Sequence, residues 1–294
     1  MNTAMRLFRF GICACLLTAF LGCTMDQTPA RMGSSPIVPA DNVVYVPQPP
    51  PGQTINIIFQ TLREELQSPL FGSKSFIMDP AYPKTWIVIE GCTPYNDRMT
   101  MATRFIVNQQ KVVPTVHYYQ LYRPTLAVEN NPDKVNPYQI RYRIRLGNSF
   151  RLGFESLPSA QRVANALSFI QQLLQKIEMQ REEKLALFEP KAAQYRGLKV
   201  KPSVSEDLRR LAVQADVASQ QRRYNEAINE YLKVIQSDDT SYPLAYFNLA
   251  LLLALEKKPL SAIFYMKHYL MLAPDAPEAR KAQDKIYEWE FMLK

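Results

Sequence analysis

Reaction chemistry in this 294-residue chain would have to be built from two histidines, four cysteines and a few carboxylate pairs. His117 and His268 lie far apart in the sequence, and no His, Cys or carboxylate group has the spacing of a zinc or catalytic metal site. Gly153-Phe154-Glu155-Ser156 lacks the Gly-x-Ser-x-Gly arrangement of a nucleophile elbow, and neither a phosphate loop nor a dinucleotide fingerprint is present. Glu64-Glu65 and Glu182-Glu183 are consecutive on predicted helices, so their carboxylates point apart among Lys and Arg and read as solvated faces. The chain is therefore read as a non-enzyme, with no catalytic residue, metal or cofactor assigned. The pattern closest to a binding site is the alternation of Arg141, Arg143 and Arg145 with Ile140, Tyr142, Ile144 and Leu146. Period two sets three guanidinium groups on one sheet face and the apolar set on the other. Such a row, with Arg151 on the next strand as a fourth cation, either meets the phosphates of a lipid or glycan or is simply a solvated face. His117, Tyr118, Tyr119 and Tyr122 offer a stacking platform or half-buried strand aromatics.

At the other end of the chemistry stands Cys23. Met1 to Gly22 combines Arg6 and Arg9, an apolar stretch from Phe10 to Phe20, and Leu21-Gly22 directly before the cysteine. That is a signal peptide whose apolar core is short of the roughly 20 residues a bilayer span needs, followed by a thiol placed for lipidation. The segment resembles the signal of bacterial lipoproteins. The resemblance implies acylation of Cys23, palmitate among the chains, and residence in the cell envelope. The same resemblance implies the outer membrane facing the periplasm, because Thr24 follows the cysteine where an Asp would favour inner-membrane retention. The mature chain then keeps Cys92 as its one thiol, so no intramolecular disulfide is available. Formal charge is +8 overall and falls to about +6 without the signal, too low for a protein that tracks nucleic-acid phosphates.

The elements that must position these residues follow from composition and period. Residues 23–53 hold the anchor and a Pro-rich tether that includes Pro47, Pro49, Pro50 and Pro51. Residues 54–190 read as a strand-rich α+β domain. Ile55, Ile58, Phe59, Leu62 and Leu66 mark an amphipathic helix. Thr85–Glu90, Thr103–Val107, Val112–Tyr122, Tyr138–Leu146 and Phe150–Phe154 are β-branched or aromatic runs, the last two joined by a Gly147-Asn148 hairpin turn. A helix from Ser159 to Phe188, with Val163, Leu167, Ile170, Leu174 and Ile177 in register, closes the sheet. Tyr142-Arg143-Ile144, Phe150-Arg151-Leu152, Ser159-Ala160 and Ala164-Asn165-Ala166-Leu167 together resemble a pleckstrin-homology-type domain, which implies a recognition surface.

A linker is expected over 191–207, and 208–294 carries the clearest repeat. Tyr246, Leu249, Ala250, Leu253, Ala262 and Pro274 fall at the positions of a tetratricopeptide repeat of about 34 residues. A degenerate earlier copy keeps Leu211, Ala215, Ala218, Tyr224, Ala227, Tyr231 and Val234. Pro277 to Met292 reads as a capping helix with Ile286, Trp289 and Met292 on one face. The fold class expected is thus α+β, an antiparallel domain closed by a long helix and followed by an all-α tetratricopeptide-repeat array. The family resemblance implies a partner-binding inner face built from Leu244, Phe247, Leu251 and Leu255 in the second copy and from Arg209, Ala212, Asp216 and Gln220 in the first. That strip is covered either by the helix 159–188 or by another protein. The function expected is a lipid-anchored envelope scaffold that binds a protein partner and assists assembly of an envelope, pilus or secretion complex. The alternative is a lipid- or glycan-binding lipoprotein using the arginine face.

Overall fold

In the computed structural model the described residues are 42–67, 75–79, 81–82, 85–105, 108–122, 125–132, 139–146 and 150–293. The signal segment, Cys23 and the Gly147-Asn148 turn lie outside them. Among the described residues nine strands form one antiparallel sheet: β1 (Val43–Tyr45), β2 (Ser75–Met78), β3 (Ile87–Pro94), β4 (Arg98–Arg104), β5 (Lys111–Val112), β6 (Thr115–His117), β7 (Val128–Asn130), β8 (Tyr142–Leu146) and β9 (Phe150–Phe154). Their order is β1-β7-β8-β9-β2-β3-β4-β5, with β6 also on β4. Among the described residues no pairing joins the ends β1 and β5.

Alternation assigns the two faces. Val128, Ile144, Leu152, Ile77 and Ile87 form one row, buried with helix α1 (Ile55–Glu65) and the first part of helix α2 (Leu157–Gly197). Helix α1 contributes Ile58, Phe59 and Leu62, and Leu66 at its C-cap continues the stripe that the spacing predicts. The opposite row runs Glu129, Arg143, Gly153, Phe76 and Val88. On that face Phe76, Met78, Trp86 and Ile140 make a second, small apolar cluster.

Three differences from the sequence reading concern boundaries. The tether is shorter than expected, because Val43–Tyr45 joins β7, and Asn165 of α2 accepts from Tyr45 Oη (3.0 Å) and Gln48 N (2.9 Å). The run 112–122 is two short strands and a 3₁₀ turn at Tyr118–Leu121, since Pro114 interrupts the ladder. The largest difference is α2, which continues through Pro190 to Gly197, where a linker was expected. A helix-interior proline costs about 3 kcal/mol. Here Leu185, Phe188, Ala192 and Tyr195 form a single buried stripe across it, and each buried large apolar side chain returns roughly 1.5–3 kcal/mol.

One helix thereby serves two cores. Its first turns, Ala160 to Ile170, belong to the sheet core, and its last turns pack into a helical core. That second core comprises α3 (Glu206–Gln220), α4 (Tyr224–Ser237), α5 (Pro243–Leu255), α6 (Pro259–Leu272) and α7 (Ala279–Met292). Through α2 the sheet core and the helical core belong to one compact unit.

The five helices form two hairpins and a terminal helix. Each hairpin turns the same way: Arg222 and Lys257, about 35 residues apart, both adopt left-handed backbone with φ of 60° and 59°. In each turn the next amide closes back onto the helix, Arg223 N to Ala218 O and Lys258 N to Leu253 O, both at 2.9 Å. Ala215, Ala227, Ala250 and Ala262 are buried where the paired helices approach.

Candidate functional site

The arginine row is not the open cationic face that its spacing suggests. Strand β7 places Glu129 beside Arg143 in the ladder, and the Glu129 Oε2 atom accepts from both Nε and an Nη of Arg143 at 2.8 Å. Arg145 Nε approaches the same carboxylate at 3.2 Å and 3.3 Å. The Glu129 side chain is 2 % exposed and that of Arg143 9 %, so this pair is buried. Arg141 is exposed, and Arg151 is half-buried with its guanidinium 3.6 Å from Met78 Sδ. Trp86 closes the neighbouring ground: a Cβ on Gly153 would sit 2.8 Å from its ring and 2.9 Å from Ile140 Cγ2. The expectation of three arginines on one open face, with Arg151 as a fourth cation, is thus corrected at Arg143, which is buried on Glu129, while Arg141 stays exposed and Arg145 and Arg151 are half-buried; the three-residue strand β7 that brings in the acid is too short to show periodicity in the sequence.

The predicted partner strip is divided in the same manner. Phe247 is buried, its ring 5.1 Å from Tyr269 of α6 and edge-on to it, and Leu251 is half-buried against the same core. Leu244 and Leu255, at the two ends of the strip, are exposed. In the first hairpin Ala212 is buried, whereas Arg209 and Gln220 are exposed. Asp216 accepts a hydrogen bond from Tyr231 Oη, which in turn receives one from Asn248 Nδ2 at 2.8 Å. Asp216 therefore serves a network that joins α3, α4 and α5. Burial pushes the Tyr231 phenol up, and the hydrogen bond to Asp216 adds to the rise. The strip's apolar middle belongs to the helical interior, where Phe247 packs on Tyr269 of α6.

Helix α2 packs along α6. Phe188 lies 4.7 Å from the ring of His268 and 6.1 Å from Tyr246, and the rings of His268 and Tyr246 stack at 5.2 Å with 2° between planes. Nδ1 of His268 is 2.9 Å from the Phe264 carbonyl oxygen, so that nitrogen carries the proton and donates. Burial depresses the pKa of His268. Farther along, Arg181 donates to Ser261 Oγ at 2.7 Å and lies over the ring of Phe264. A cleft of about 350 Å³ remains between this part of α2 and the hairpins, with Ile228, Leu232, Leu249 and Leu253 in its wall.

The remaining candidates resolve as structure. His117 and Tyr119 stack at 5.6 Å, Tyr118 is buried, and Tyr119 and Tyr122 are half-buried against the helical core. Burial lowers the pKa of His117. Cys92 is buried, which pushes its thiol up to about 12 and leaves it unreactive. Glu65 pairs with Arg162, and Glu182 with Lys267. Among the described residues no group of three or more His, Cys, Asp or Glu could hold a metal ion, and no helix is long and apolar enough to cross a membrane. Comparison with protein-family models, with curated proteins and with solved structures gives no match to this chain.

Proposed function

We propose that this protein is a lipid-anchored envelope scaffold, attached through Cys23 and carrying a small tetratricopeptide module that binds a protein partner. The observation behind the reading is the recurrence of one hairpin geometry about 35 residues apart, with the same left-handed turn at Arg222 and Lys257 and small alanines at the helix contacts. Modules of this kind work by presenting surface to other proteins, and an anchor with a Pro-rich segment holds that surface near a membrane. Outer-membrane attachment facing the periplasm, and help in assembling an envelope, pilus or secretion complex, complete the proposal. Arg143 is committed to Glu129, which weakens the alternative of anion capture by the arginine face.

Leu244 and Leu255 are the exposed ends of the strip and supply its apolar anchors for a partner. The test combines proximity labelling from the full chain with two changes. Cys23→Ser should prevent acylation and leave the protein unprocessed or mislocalised. Leu244→Glu with Leu255→Glu should remove the labelled partners while the melting temperature stays near that of the wild type. Membrane-bound protein with an unmodified Cys23 thiol would reject the anchor, and an unchanged labelling pattern in the leucine variant would reject the strip.

A further inference from the structure

Helix α2 is packed at both ends and bridges a gap in between. Its buried residues fall in two groups, 160–170 against the sheet and 185–195 against the hairpins. None of the residues 171–184 is buried. Along this middle stretch lies the cleft of about 350 Å³, with α2 on one side and α4, α5 and α6 on the other. Ile228 and Leu232 of α4, Leu249 and Leu253 of α5 and Phe264 of α6 line it together with Ile177 of α2. Ile228, Leu249 and Leu253 are buried, so the interior is apolar, while Ile177 is 37 % exposed and marks the mouth.

Among the described residues, the charged groups lining this cleft are Arg181 and Lys184, both cations and both on α2. Arg181 is held in place. It pairs with Glu178, donates to Ser261 Oγ of α6 at 2.7 Å and lies over the ring of Phe264. A guanidinium carries five N–H donors, so these bonds leave others free for a ligand. Lys184, three residues on and on the same helix face, is exposed and has no hydrogen bond or ion pair among the described residues.

Volume and charge together define the occupant. At about 30 Å³ for each water-sized group, the cleft takes roughly a dozen such groups, which is one acyl chain of medium length and not two. A helix from another protein, roughly 10 Å across, is too wide for it. An apolar interior with cations at the rim selects a chain that ends in an anion. We propose that this cleft binds one single-chain amphiphile with an anionic head, a fatty acid or a monoacyl phosphatidate, with its chain along Ile228, Leu249 and Leu253 and its head on Arg181 and Lys184. This inference stands apart from the scaffold reading, since it needs neither the anchor nor a protein partner.

The test is photocrosslinking of the full chain in membranes with a dodecanoate probe that carries a diazirine at the end of its chain, followed by mass spectrometry of the labelled peptides. Label should concentrate on the segments of α2, α4 and α5 that line the cleft. Unlabelled dodecanoate and monododecanoyl phosphatidate should both compete, and the one that competes at the lower concentration identifies the head. Dodecanol and dodecyltrimethylammonium should not compete at those concentrations. Lys184→Glu changes an exposed side chain, so it should keep the wild-type melting temperature. Its labelling should nevertheless fall about tenfold or more, the loss expected for one contact to a charged group. Ile177→Glu, which sets a carboxylate at the mouth, should lose labelling as well, and Lys184→Gln replaces Lys184→Glu if that variant is unstable. Label scattered over the surface, no competition by either anion, equal competition by dodecanol or the ammonium compound, or wild-type labelling in either variant would each overturn the proposal.

Discussion

Removing the Glu129 carboxylate gives the sharpest measure of what the arginine face does. With Glu129→Ala, the Arg143 guanidinium, 9 % exposed, loses both of its 2.8 Å contacts while remaining buried beside the Trp86 cluster. Breaking a buried pair from one side costs roughly 3–5 kcal/mol, because an uncompensated charge is left behind. The reverse change should cost less. After Arg143→Ala, Arg145 still lies 3.2 Å from Glu129, and its side chain is 31 % exposed, so the carboxylate retains a partner and some water. Replacing the pair together, Glu129→Leu with Arg143→Met, should be near neutral, since apolar residues of similar volume remove both desolvation penalties. Urea denaturation followed by circular dichroism yields the three values and their coupling energy. Should Glu129→Ala cost less than about 1 kcal/mol with the slope unchanged, the pair is solvated and the reasoning fails.

Two further predictions concern the helical core. Phe247→Ala should destabilise by about 3–5 kcal/mol, as expected for a buried aromatic packed edge-on to Tyr269, and a melting temperature within a degree or so of wild type would return Phe247 to an open groove. His268 should make stability sensitive to mild acid. Its folded-state pKa is depressed below the ordinary 6.5 by burial, so its contribution is fully present above about 6.5 and is lost as pH falls through that value toward the folded pKa. The melting temperature of wild type should therefore drop more than that of His268→Phe between neutral pH and about pH 5, and parallel profiles would show the imidazole to be solvated.

The local pattern of this chain is legible wherever one face of an element is buried and the element is long enough to repeat. Ile58, Phe59 and Leu62 in α1, the alternation across β8, and the alanine and tyrosine spacings of α3 to α6 all belong to that class, because burial against one neighbour imposes a period of 3.6 or 2 on the sequence. The antiparallel sheet followed by helices was legible on the same ground. Short strands were not: β1, β2 and β7 have three or four residues, and their place depends on partners distant in the chain. The identity of the arginine face depended on one of them, since nothing near Arg143 in the sequence announces that Glu129 will stand opposite.

Tertiary packing also decided how far α2 runs. By local propensity Pro190 marks a stop, but Phe188, Ala192 and Tyr195 bury against helices that follow in the chain, and that non-local gain outweighs the missing hydrogen bond. In the same way the residue pattern showed Phe247, Leu251 and Leu255 as one apolar strip, while only the packing of α5 on α6 determined that its centre is core and its ends are surface. Sequence by itself determined which face is apolar in the elements long enough to repeat. Which neighbour covers that face, and which groove is left without one, came from contacts between residues far apart in the chain, where periodicity carries no information.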